Sequence, residues 1–394
     1  MRIRSLSITN FRAIRFMQLD GLTDFVLIAG PNGCGKSCVF DAIRLLKSVY
    51  GGYQANEWMQ WFGEFQIDLN DREQLSHMFK NPAQPLAVAA TVQLSDEEKE
   101  YLRAAAERVL EPLVWASVTG QTLDTYNHST TAIATQFRQY GDVVAEQVRQ
   151  RAEALRTSLA DSFYPLALRI VEGHPIQILP NPTMEVVFQT YDPAHLGIVD
   201  YHSASRNYQR ETIGGVNLDA RNLDSQRRQQ SLYNWQAKYQ NVKTELATTY
   251  IRELVARESG VETGYASGLN ETMRELFQTF FPDKEYLGVQ PDPNGGLSFP
   301  VRLNTGETHD INELSSGEKE IVYGYLRLRN STPRHSTILL DEPELHLNPG
   351  LLRGFPDFYH RQLGRAQGNQ LWLVTHSDTC CVRPWATITT ACTT

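Results

Sequence analysis

Glycine, lysine and serine occur near the start of the chain at a spacing that suits phosphate binding. The stretch GPNGCGKS fits the pattern G-x-x-x-x-G-K-S, directly after an apolar run and before a helical one. Backbone N–H groups in such a loop, together with the positive end of the helix, bind phosphate oxygens. We predict that Lys36 reaches the β- and γ-phosphates of ATP and that Ser37 is a Mg²⁺ ligand. The predicted nucleotide-binding residues are Gly30, Pro31, Asn32, Gly33, Cys34, Gly35, Lys36 and Ser37.

Acidic residues and a histidine follow two apolar runs near the other end of the chain. The run ILLDEPE places Asp341 and Glu342 at its end, and LVTHSD places His376 at the end of the next. Asp341 is predicted to hold the water shell of Mg²⁺, and Glu342, which points elsewhere, to polarise the attacking water. His376 can hydrogen-bond the γ-phosphate or that water. Solvated acids and a structural histidine are the alternative interpretation.

A short polar stretch broken by glycine, LSSGEKE, spans Leu314 to Glu320. A serine hydroxyl and the free N–H groups of a helix start, here Ser316 to Glu320, form an anion site. This would be a second phosphate-binding element, far along the chain from the first. The alternative is a capped helix that follows a Ser-Gly turn.

Both ends of the chain carry α/β patterns that would position these residues. The runs IRSLSITNF and DFVLIAG predict strands, and apolar residues at intervals of three and four predict a helix over 35–49, ended by Gly51 and Gly52. STILLDEPE and QLWLVTHSD predict two more strands, which flank a helical segment around Leu351–Leu363. Short apolar strands that alternate with helices indicate a parallel sheet.

The middle of the chain has a different character. Leu86–Leu110 predicts a strand and then a helix capped at Ser95, and residues 130–160 are helical in pattern. Two strands are predicted within Met184–Asp192 and Leu196–Ala204. Leu223–Glu258 lacks glycine and proline and predicts one or two long helices.

The predicted division of the chain has four parts. An N-terminal lobe (1–50) and a C-terminal lobe (301–378) form one α/β sheet, split by a mostly helical insertion (51–300). The tail, 379–394, has one charge, three cysteines and neither helix nor strand pattern. If the tail is back-translated with plausible codons and read in a frame shifted by one base, it can encode the amino-acid sequence LLREAVGHDHYSVY. We hypothesise that the reading frame was lost near Thr379 and that the natural protein continues further.

Taken together, these motifs resemble the ABC-type ATPase heads of the SMC, RecF and Rad50 superfamily. ITNFRAI is similar to their N-terminal strand and turn, GPNGCGKS to Walker A, LSSGEKE to the signature, STILLDEPE to Walker B and VTHSD to the H-loop. The resemblance covers about 1–50 and 300–378. It is closest to the OLD-like AAA-type ATPases, which often serve in bacterial anti-phage systems. It implies a P-loop sheet with an antiparallel β subdomain.

The resemblance also implies how the second phosphate-binding element works. Ser315 and Gly317 would contact the γ-phosphate held by another subunit, in a head-to-tail homodimer or higher homo-oligomer with composite ATP sites. Two departures are visible in the sequence. Asn348 stands where many ABC ATPases carry the D-loop aspartate. Gln189 is a candidate for the Q-loop glutamine, with an ordinary strand residue as the alternative.

Composition limits the class of protein. The chain has 394 residues, 41% of them hydrophobic, and a net charge of −8. No apolar run is long enough to span a membrane, no signal-peptide core is visible, and five cysteines without framework spacing indicate a reducing compartment. We expect a cytoplasmic protein.

A locally basic stretch in the insertion suggests a further partner. It is interleaved with Tyr208 and could contact a nucleic acid backbone or a protein, although arginines balanced by acids on an exposed helix are the alternative. The arginines are Arg206, Arg210, Arg221, Arg227 and Arg228.

The favoured hypothesis is an ATP-switched regulator that senses DNA or a phage-derived trigger and controls a partner effector, such as a nuclease encoded nearby. Defence systems of the Septu, retron-associated or PARIS type fit the resemblance. A RecF-like DNA repair ATPase is the alternative. A third hypothesis is a transporter ATPase subunit. The long insertion and the N-terminal NFR sequence argue against it.

Overall fold

The computed structural model describes most of the chain. The described residues are 1–120, 130–213, 216, 220–260, 268–292, 296–331, 334–345, 347, 349–352, 354–377 and 386–389. Within these ranges, no helix combines the length and the apolar character needed to cross a membrane.

The strands are short, and most lie in two sheets. In chain order they are β1 (Arg2–Phe11), β2 (Ile14–Leu19), β3 (Phe25–Ala29), β4 (Leu86–Gln93), β5 (Tyr164–Ile170), β6 (Gln177–Ile178), β7 (Val199–His202), β8 (Lys284–Tyr286), β9 (Gln290–Pro291), β10 (Leu297–Ser298), β11 (Pro300–Leu303), β12 (Thr308–Asp310), β13 (Thr337–Asp341), β14 (Gln370–Thr375) and β15 (Ala386–Thr389).

The helices vary from one turn to eight. In chain order they are α1 (Lys36–Tyr50), α2 (Glu57–Glu64), α3 (Arg72–Ser76), α4 (Asp96–Thr119), α5 (Thr130–Ser158), α6 (Pro182–Gln189), α7 (Ala220–Gln230), α8 (Val242–Ser259), α9 (Leu269–Phe280), α10 (Ser316–Ser331), α11 (Pro349–Leu352) and α12 (Phe355–Tyr359). A π-helical turn at His360–Gly364 follows α12, and 3₁₀ turns lie at Trp235–Ala237, Ile311–Glu313 and Arg365–Gln367.

The chain forms two compact units. The first contains Met1–Leu22 and Cys38–Ile198, and the second contains Thr23–Ser37 and Val199–Thr394. The loop predicted to bind phosphate and the later motifs therefore belong to the second unit. The boundary at Val199 falls inside the predicted insertion.

The first unit is built on an antiparallel sheet with strand order β2-β1-β4-β5-β6. The long helices α4 and α5 pack on each other in the same unit. As predicted, Ser95 caps α4: its hydroxyl accepts from the backbone N–H of Glu98, and the Glu98 carboxylate accepts from the backbone N–H of Ser95. This capping box satisfies two N–H groups that a helix start would otherwise leave unpaired.

The second unit is built on a parallel sheet with strand order β15-β3-β14-β13-β7. Every residue of β3, β13 and β14 is buried, which explains their continuous apolar sequences. Side chains from these strands and from α8, α9 and α10 form the core. The fold is thus mixed α/β with a parallel sheet, as the sequence predicts. The carboxyl ends of parallel strands meet at one edge, where β13 ends at Asp341 and β14 at Thr375.

One predicted strand is a helix. The stretch MEVVFQ belongs to α6, which begins at Pro182 and ends at Gln189. The Asn181 side chain accepts from the backbone N–H of Met184, and proline occupies the first helical position. Asparagine followed by proline is a helix-start signal, and it outweighs the strand preference of the two valines.

The predicted long helical stretch over Leu223–Glu258 is two helices, α7 and α8. Between them, Asn234 and Asn241 adopt left-handed backbone conformations with φ of 54° and 63°. Asparagine tolerates that conformation better than most residues, so it can interrupt a helix without glycine or proline.

The tail contains a strand that the sequence interpretation missed. Ala386–Thr389 forms β15, which pairs in parallel with β3 in the register Ile388 to Ile28. The β-branched residues Thr387, Ile388 and Thr389 favour strand geometry, and β3 offers them an edge. The remaining tail lies outside the described residues, so the hypothesis of a lost frame stays a prediction.

Candidate nucleotide-binding site

The phosphate-binding candidate loop connects β3 to α1, in the strand–loop–helix order that its motif requires. Gly33 and Gly35 have φ of 77° and 90°. These values lie in the left-handed region, which glycine adopts without the steric cost of a Cβ. The two glycines therefore permit a tight loop ahead of the N-terminus of α1, where backbone N–H groups are free to meet an anion.

Lys36 joins the two ends of the chain. Its side chain is buried, with 4% of its surface exposed. The ammonium donates to the carbonyl oxygens of Gly30 at 2.8 Å and Pro31 at 2.9 Å. It also lies 3.0 Å from Nδ1 of His376. Because an ammonium can only donate, Nδ1 accepts, and the other ring nitrogen carries the proton of the neutral histidine.

Ser37 and Asp341 form an oxygen pair beside Lys36. The serine hydroxyl donates to Oδ1 of Asp341 at 3.1 Å, and Asp341 is 5% exposed. Hydroxyl and carboxylate oxygens are ligands that Mg²⁺ prefers, and Mg²⁺ in phosphate sites usually keeps few protein ligands and several waters. The part of the chain that the structure describes has no group of three or more His, Cys, Asp or Glu that could hold a metal. A pair of oxygen ligands is therefore the form of site that Mg²⁺ bound with a triphosphate would use.

Glu342 is linked to Lys36 through His376. Nε2 of His376 donates to the Glu342 carboxylate, and Nδ1 contacts Lys36 as described above. Glu342 has a left-handed φ of 45°, unusual for a residue with a side chain, and its backbone N–H donates to Val374 at 2.9 Å. Glu342 therefore lies in a fixed turn that directly follows Asp341, the last residue of β13.

The loop fits a triphosphate on its own chemistry. The contacts of Lys36 described above are with neutral acceptors, and among the described residues no carboxylate lies within ion-pair distance of its ammonium. A buried cation without an anionic partner is costly, and a phosphate oxygen would compensate it. ATP and Mg²⁺ thus fit the residues present.

The LSSGEKE stretch is organised around its own turn. Ser315 is exposed and caps α10: its hydroxyl and its backbone N–H both donate to the Glu318 carboxylate at 2.9 Å. Glu318 is also paired with Lys284. Burial opposes ionisation of Glu318, but hydrogen bonds from Lys284 and Ser315 hold its pKa below the usual value. Gly317 lies in the first turn of α10.

Three other predicted positions have different outcomes. Gln189 is exposed at the end of α6, so its expected place at the end of a strand is wrong. Asn348 lies outside the described residues. Arg206 is buried against Glu320, and the Tyr208 hydroxyl donates to the same carboxylate at 2.8 Å, so this part of the basic stretch is not a nucleic acid surface.

Of the remaining arginines in that stretch, Arg210 is exposed and paired with Glu313. Arg227 and Arg228 lie in the last turn of α7, and the side chain of Arg221 lies outside the description. The predicted contact with a nucleic acid or a protein therefore concerns only these four arginines, and for them it stays a prediction.

Two residues lie at the site although the sequence did not assign them to it. Oε1 of Glu344 accepts from the Thr375 hydroxyl at 2.5 Å and from the backbone N–H of His376 at 2.7 Å, so this acid holds the turn that presents His376. Its position as the second glutamate of DEPE was the available signal. The other residue is Arg206, which contacts the backbone carbonyls of Asp341 and Glu342.

Two family models match the chain, one towards each end. A model described as "AAA ATPase domain" matches residues 1–136. A model described as "AAA domain, putative AbiEii toxin, Type IV TA system" matches residues 206–381. The matches support an ATPase of the AAA class.

One curated protein that the chain is similar to is "Uncharacterized protein MJECL10" of Methanocaldococcus jannaschii, 33% identical over 73 residues. The match covers 16% of this chain and 33% of that protein, so the chain spans about a third of the length of this relative. Among solved structures, the SMC head domain from Thermotoga maritima is 13% identical with a TM-score of 0.44, covering 96% of this chain and 91% of that one. The Smc head domain derived from Pyrococcus furiosus, bound to the C-terminal domain of ScpA, has the same identity and TM-score, with 96% and 90% covered.

Proposed function

We propose that this protein is an ATP-binding and ATP-hydrolysing switch that dimerises head to tail on ATP and regulates a partner effector. The observation that carries the proposal is the contact between Lys36 and His376, 3.0 Å apart although 340 positions separate them in the chain. Around it lie the Mg²⁺-type oxygens of Ser37 and Asp341 and the carboxylate of Glu342. These are the groups that phosphoryl transfer to water requires.

Each side chain has a distinct part in the proposed reaction. Lys36 and the loop N–H groups bind phosphate oxygens, and Ser37 and Asp341 hold Mg²⁺ and its waters. Bound ATP with Mg²⁺ supplies the phosphoanhydride that is cleaved. Glu342 is the base that orients and deprotonates water, because its carboxylate is presented by a fixed turn next to the loop.

His376 would orient these groups relative to one another. It accepts from Lys36 and donates to Glu342, so one ring contacts both side chains. Glu344 in turn fixes the backbone of His376. The arrangement orients the base through two successive hydrogen bonds.

The switch would depend on a second copy of the chain. Ser315 is exposed at the N-terminus of α10, where its hydroxyl and the helix N–H groups suit an anion. In the proposed dimer, Ser315 and Gly317 of one copy would meet the phosphate held by Lys36 of the other. Loss of that phosphate on hydrolysis would then weaken the assembly.

The partner is proposed to be an effector, such as a nuclease encoded nearby, in anti-phage defence. The description of the model matched by residues 206–381, which names a toxin of a TA system, supports this direction. A RecF-like repair role would require DNA binding, and burial of Arg206 against Glu320 removes one of the residues that could have provided it.

The oligomeric state of the full chain tests the switch. Analytical ultracentrifugation would be run without nucleotide, with ADP and with ATP, each in the presence and absence of Mg²⁺. We expect a shift to dimer or higher oligomer with ATP and its reversal as ATP is hydrolysed. ATP turnover without any nucleotide-dependent change in mass would contradict the switch while leaving the ATPase intact.

The effector is tested separately by co-expression with the products of the adjacent genes. Stable association with one of them, altered by ATP or by Glu342→Gln, is the expected result. DNA binding by the chain alone, with replication genes as neighbours, would instead support the repair role.

A further inference from the structure

We infer that Arg206 is a positioning residue that holds the turn presenting the catalytic carboxylate and ties it to the signature helix α10. The inference rests on the proposed ATPase function and deepens it by assigning a residue that the sequence motifs do not contain. Arg206 lies four residues after the end of β7. Strand β7 pairs with β13 in the parallel sheet.

The guanidinium of Arg206 contacts the backbone of two successive site residues. Nη1 donates to the carbonyl oxygen of Asp341 at 3.1 Å, and Nη2 donates to that of Glu342 at 2.7 Å. Nη1 also donates to the carbonyl of Ser203 at 2.7 Å, which anchors the arginine to its own segment. A planar guanidinium with several fixed donors can hold adjacent carbonyls in a way that a lysine ammonium cannot.

The turn that Arg206 holds is a strained one. Glu342 has a φ of 45°, which costs free energy for a residue with a Cβ and persists only where the surroundings enforce it. Its amide N–H is fixed by Val374 and its carbonyl by Arg206, so both peptide groups that flank its Cα are held. These contacts determine where the Glu342 side chain points.

The other edge of the guanidinium faces the signature helix. Nε of Arg206 lies 2.7 Å from Oε1 of Glu320, the last residue of LSSGEKE, and both side chains are almost fully buried. Tyr208 donates to the second oxygen of that carboxylate at 2.8 Å. Burial opposes the charged form of Arg206, but the Glu320 carboxylate holds its pKa above the usual value.

One side chain therefore spans from the helix that begins at the proposed γ-phosphate contact to the backbone of the proposed general base. A movement of α10 on engagement of a second copy would reach Glu342 through this ion pair. The same geometry would also arise if Arg206 merely neutralised Glu320 for stability. The two roles differ in what happens to Glu342 when the arginine is changed and the fold is kept.

Two variants separate the roles. Arg206→Lys keeps the charge beside Glu320 but lacks the fork that holds both carbonyls. The double variant Arg206→Met with Glu320→Gln removes both buried charges together, so that neither is left unpaired and folding is retained. The matched control is Arg210→Met, which removes an exposed arginine of the same segment.

The first readout compares the change in kcat with the change in the Kd for ATP. Both variants are expected to lower kcat about 100-fold while the Kd for ATP changes less than about twofold, because the lost contacts hold the backbone that presents Glu342, whereas Lys36 and its loop are unchanged. Arg210→Met should leave both constants unchanged. A kcat within twofold of the wild-type value in folded Arg206 variants would overturn the inference.

The second readout does not require turnover. The ring resonances of His376, assigned by comparison with His376→Gln, report its contact with Glu342 in the nucleotide-free protein. We expect them to shift in both Arg206 variants and to stay in place in Arg210→Met. If the wild-type chain hydrolyses no ATP, the proposed function fails, and unchanged His376 resonances in the folded variants would still reject the positioning role by themselves.

Discussion

Two regions of the second unit bear the predicted chemistry, and they are organised in opposite ways. The region that we propose to be catalytic, called the catalytic region below, comprises the loop Gly30–Ser37 with Asp341, Glu342 and His376, and its hydrogen bonds join residues 304 and 340 positions apart. The signature turn comprises Leu314–Glu320, and the side-chain bonds of Ser315 reach only three positions along the chain. The catalytic region is thus assembled by the fold, whereas the hydrogen bonds of Ser315 in the signature turn are set by the local sequence.

This difference bears on how each region could meet a phosphate. In the catalytic region, the buried ammonium of Lys36 contacts two carbonyl oxygens and a ring nitrogen, and a phosphate oxygen would give it an anionic partner. The signature turn presents an exposed serine whose hydrogen bonds are already satisfied locally by Glu318. A phosphate held by a second copy would have to compete with the Glu318 carboxylate for the hydroxyl of Ser315. The two copies could therefore engage only if the phosphate displaces that carboxylate.

The largest effect is expected from the base in the catalytic region. Glu342→Gln should lower kcat about 1000-fold, because an amide cannot take the proton from water. ATP binding should persist, and the assembled form should accumulate because hydrolysis no longer releases it. Steady-state turnover and sedimentation in ATP measure both. Glu307→Gln, an exposed acid of the same unit, is the control. Normal turnover by Glu342→Gln would remove Glu342 from its role.

A change at Lys36, the proposed phosphate-binding lysine, should act on the affinity for ATP. Lys36→Ala is expected to weaken ATP binding about 100-fold, since a charge-assisted hydrogen bond to phosphate is lost. Isothermal titration calorimetry with a non-hydrolysable ATP analogue measures it, with the exposed Lys80→Ala as the control. Nucleotide affinity equal to that of the wild type would refute the assignment of the loop.

The signature turn is expected to respond differently, and this sharpens the contrast. Ser315→Arg should leave nucleotide binding by the separated chain within about twofold and weaken ATP-dependent association about 50-fold, because a bulky side chain blocks the interface. Thr305→Arg, in an exposed turn, is the control for added charge and size. Assembly with full turnover in Ser315→Arg would end the proposal that the two regions meet across copies.

Much of the catalytic region could be predicted because its chemistry is encoded locally. The loop pattern, the acids after an apolar run and the histidine after another each identify a strand end, and parallel strands bring such ends to one edge. The prediction that Lys36, Asp341 and His376 lie near one another needs only that topology.

The features that the sequence did not reveal depend on contacts between distant segments. Arg206 looked like one of several surface arginines, and only its burial against Glu320 distinguishes it. The helix at Pro182–Gln189 was hidden because valine and phenylalanine suit strands, although the Asn-Pro signal was present. Strand β15 was missed because its sequence has only a weak strand pattern. It forms by pairing with β3, a contact that the sequence of the tail alone does not show.

A smaller effect is expected at the turn that supports His376. Glu344→Gln should lower kcat about tenfold, because a neutral amide oxygen accepts more weakly from Thr375 and from the backbone of His376. ATP affinity should be nearly unchanged. A loss as large as that of Glu342→Gln would indicate that Glu344, rather than Glu342, is the base.

The smallest effect concerns the pH dependence of the free energy of unfolding, through a histidine on β7, the strand next to β13. His202 is buried on β7 between Asp200 and Tyr239, and burial lowers its pKa to about 4. The unfolded chain therefore binds a proton near its ordinary pKa of about 6.5 while the folded chain does not, so stability falls as pH decreases through this window. The free energy of unfolding should be about 1 kcal/mol lower at about pH 5.5 than at pH 7 from this group alone.

Urea titrations at the two pH values measure that contribution as the difference between the wild type and His202→Gln. Asp41, whose pKa burial raises to about 6, acts in the opposite direction and cancels in the difference. The exposed His174→Gln is the control. The same pH dependence in His202→Gln as in the wild type would contradict the assignment.

The most direct test of the account is a structure of the Glu342→Gln variant with ATP and Mg²⁺. We predict the triphosphate in the Gly30–Ser37 loop with Lys36 on its terminal phosphates, Mg²⁺ on the oxygens of Ser37 and Asp341, and Ser315 of a second copy on the same γ-phosphate. A nucleotide bound away from this loop, or bound in it while Ser315 of every copy remains exposed to solvent, would contradict the account.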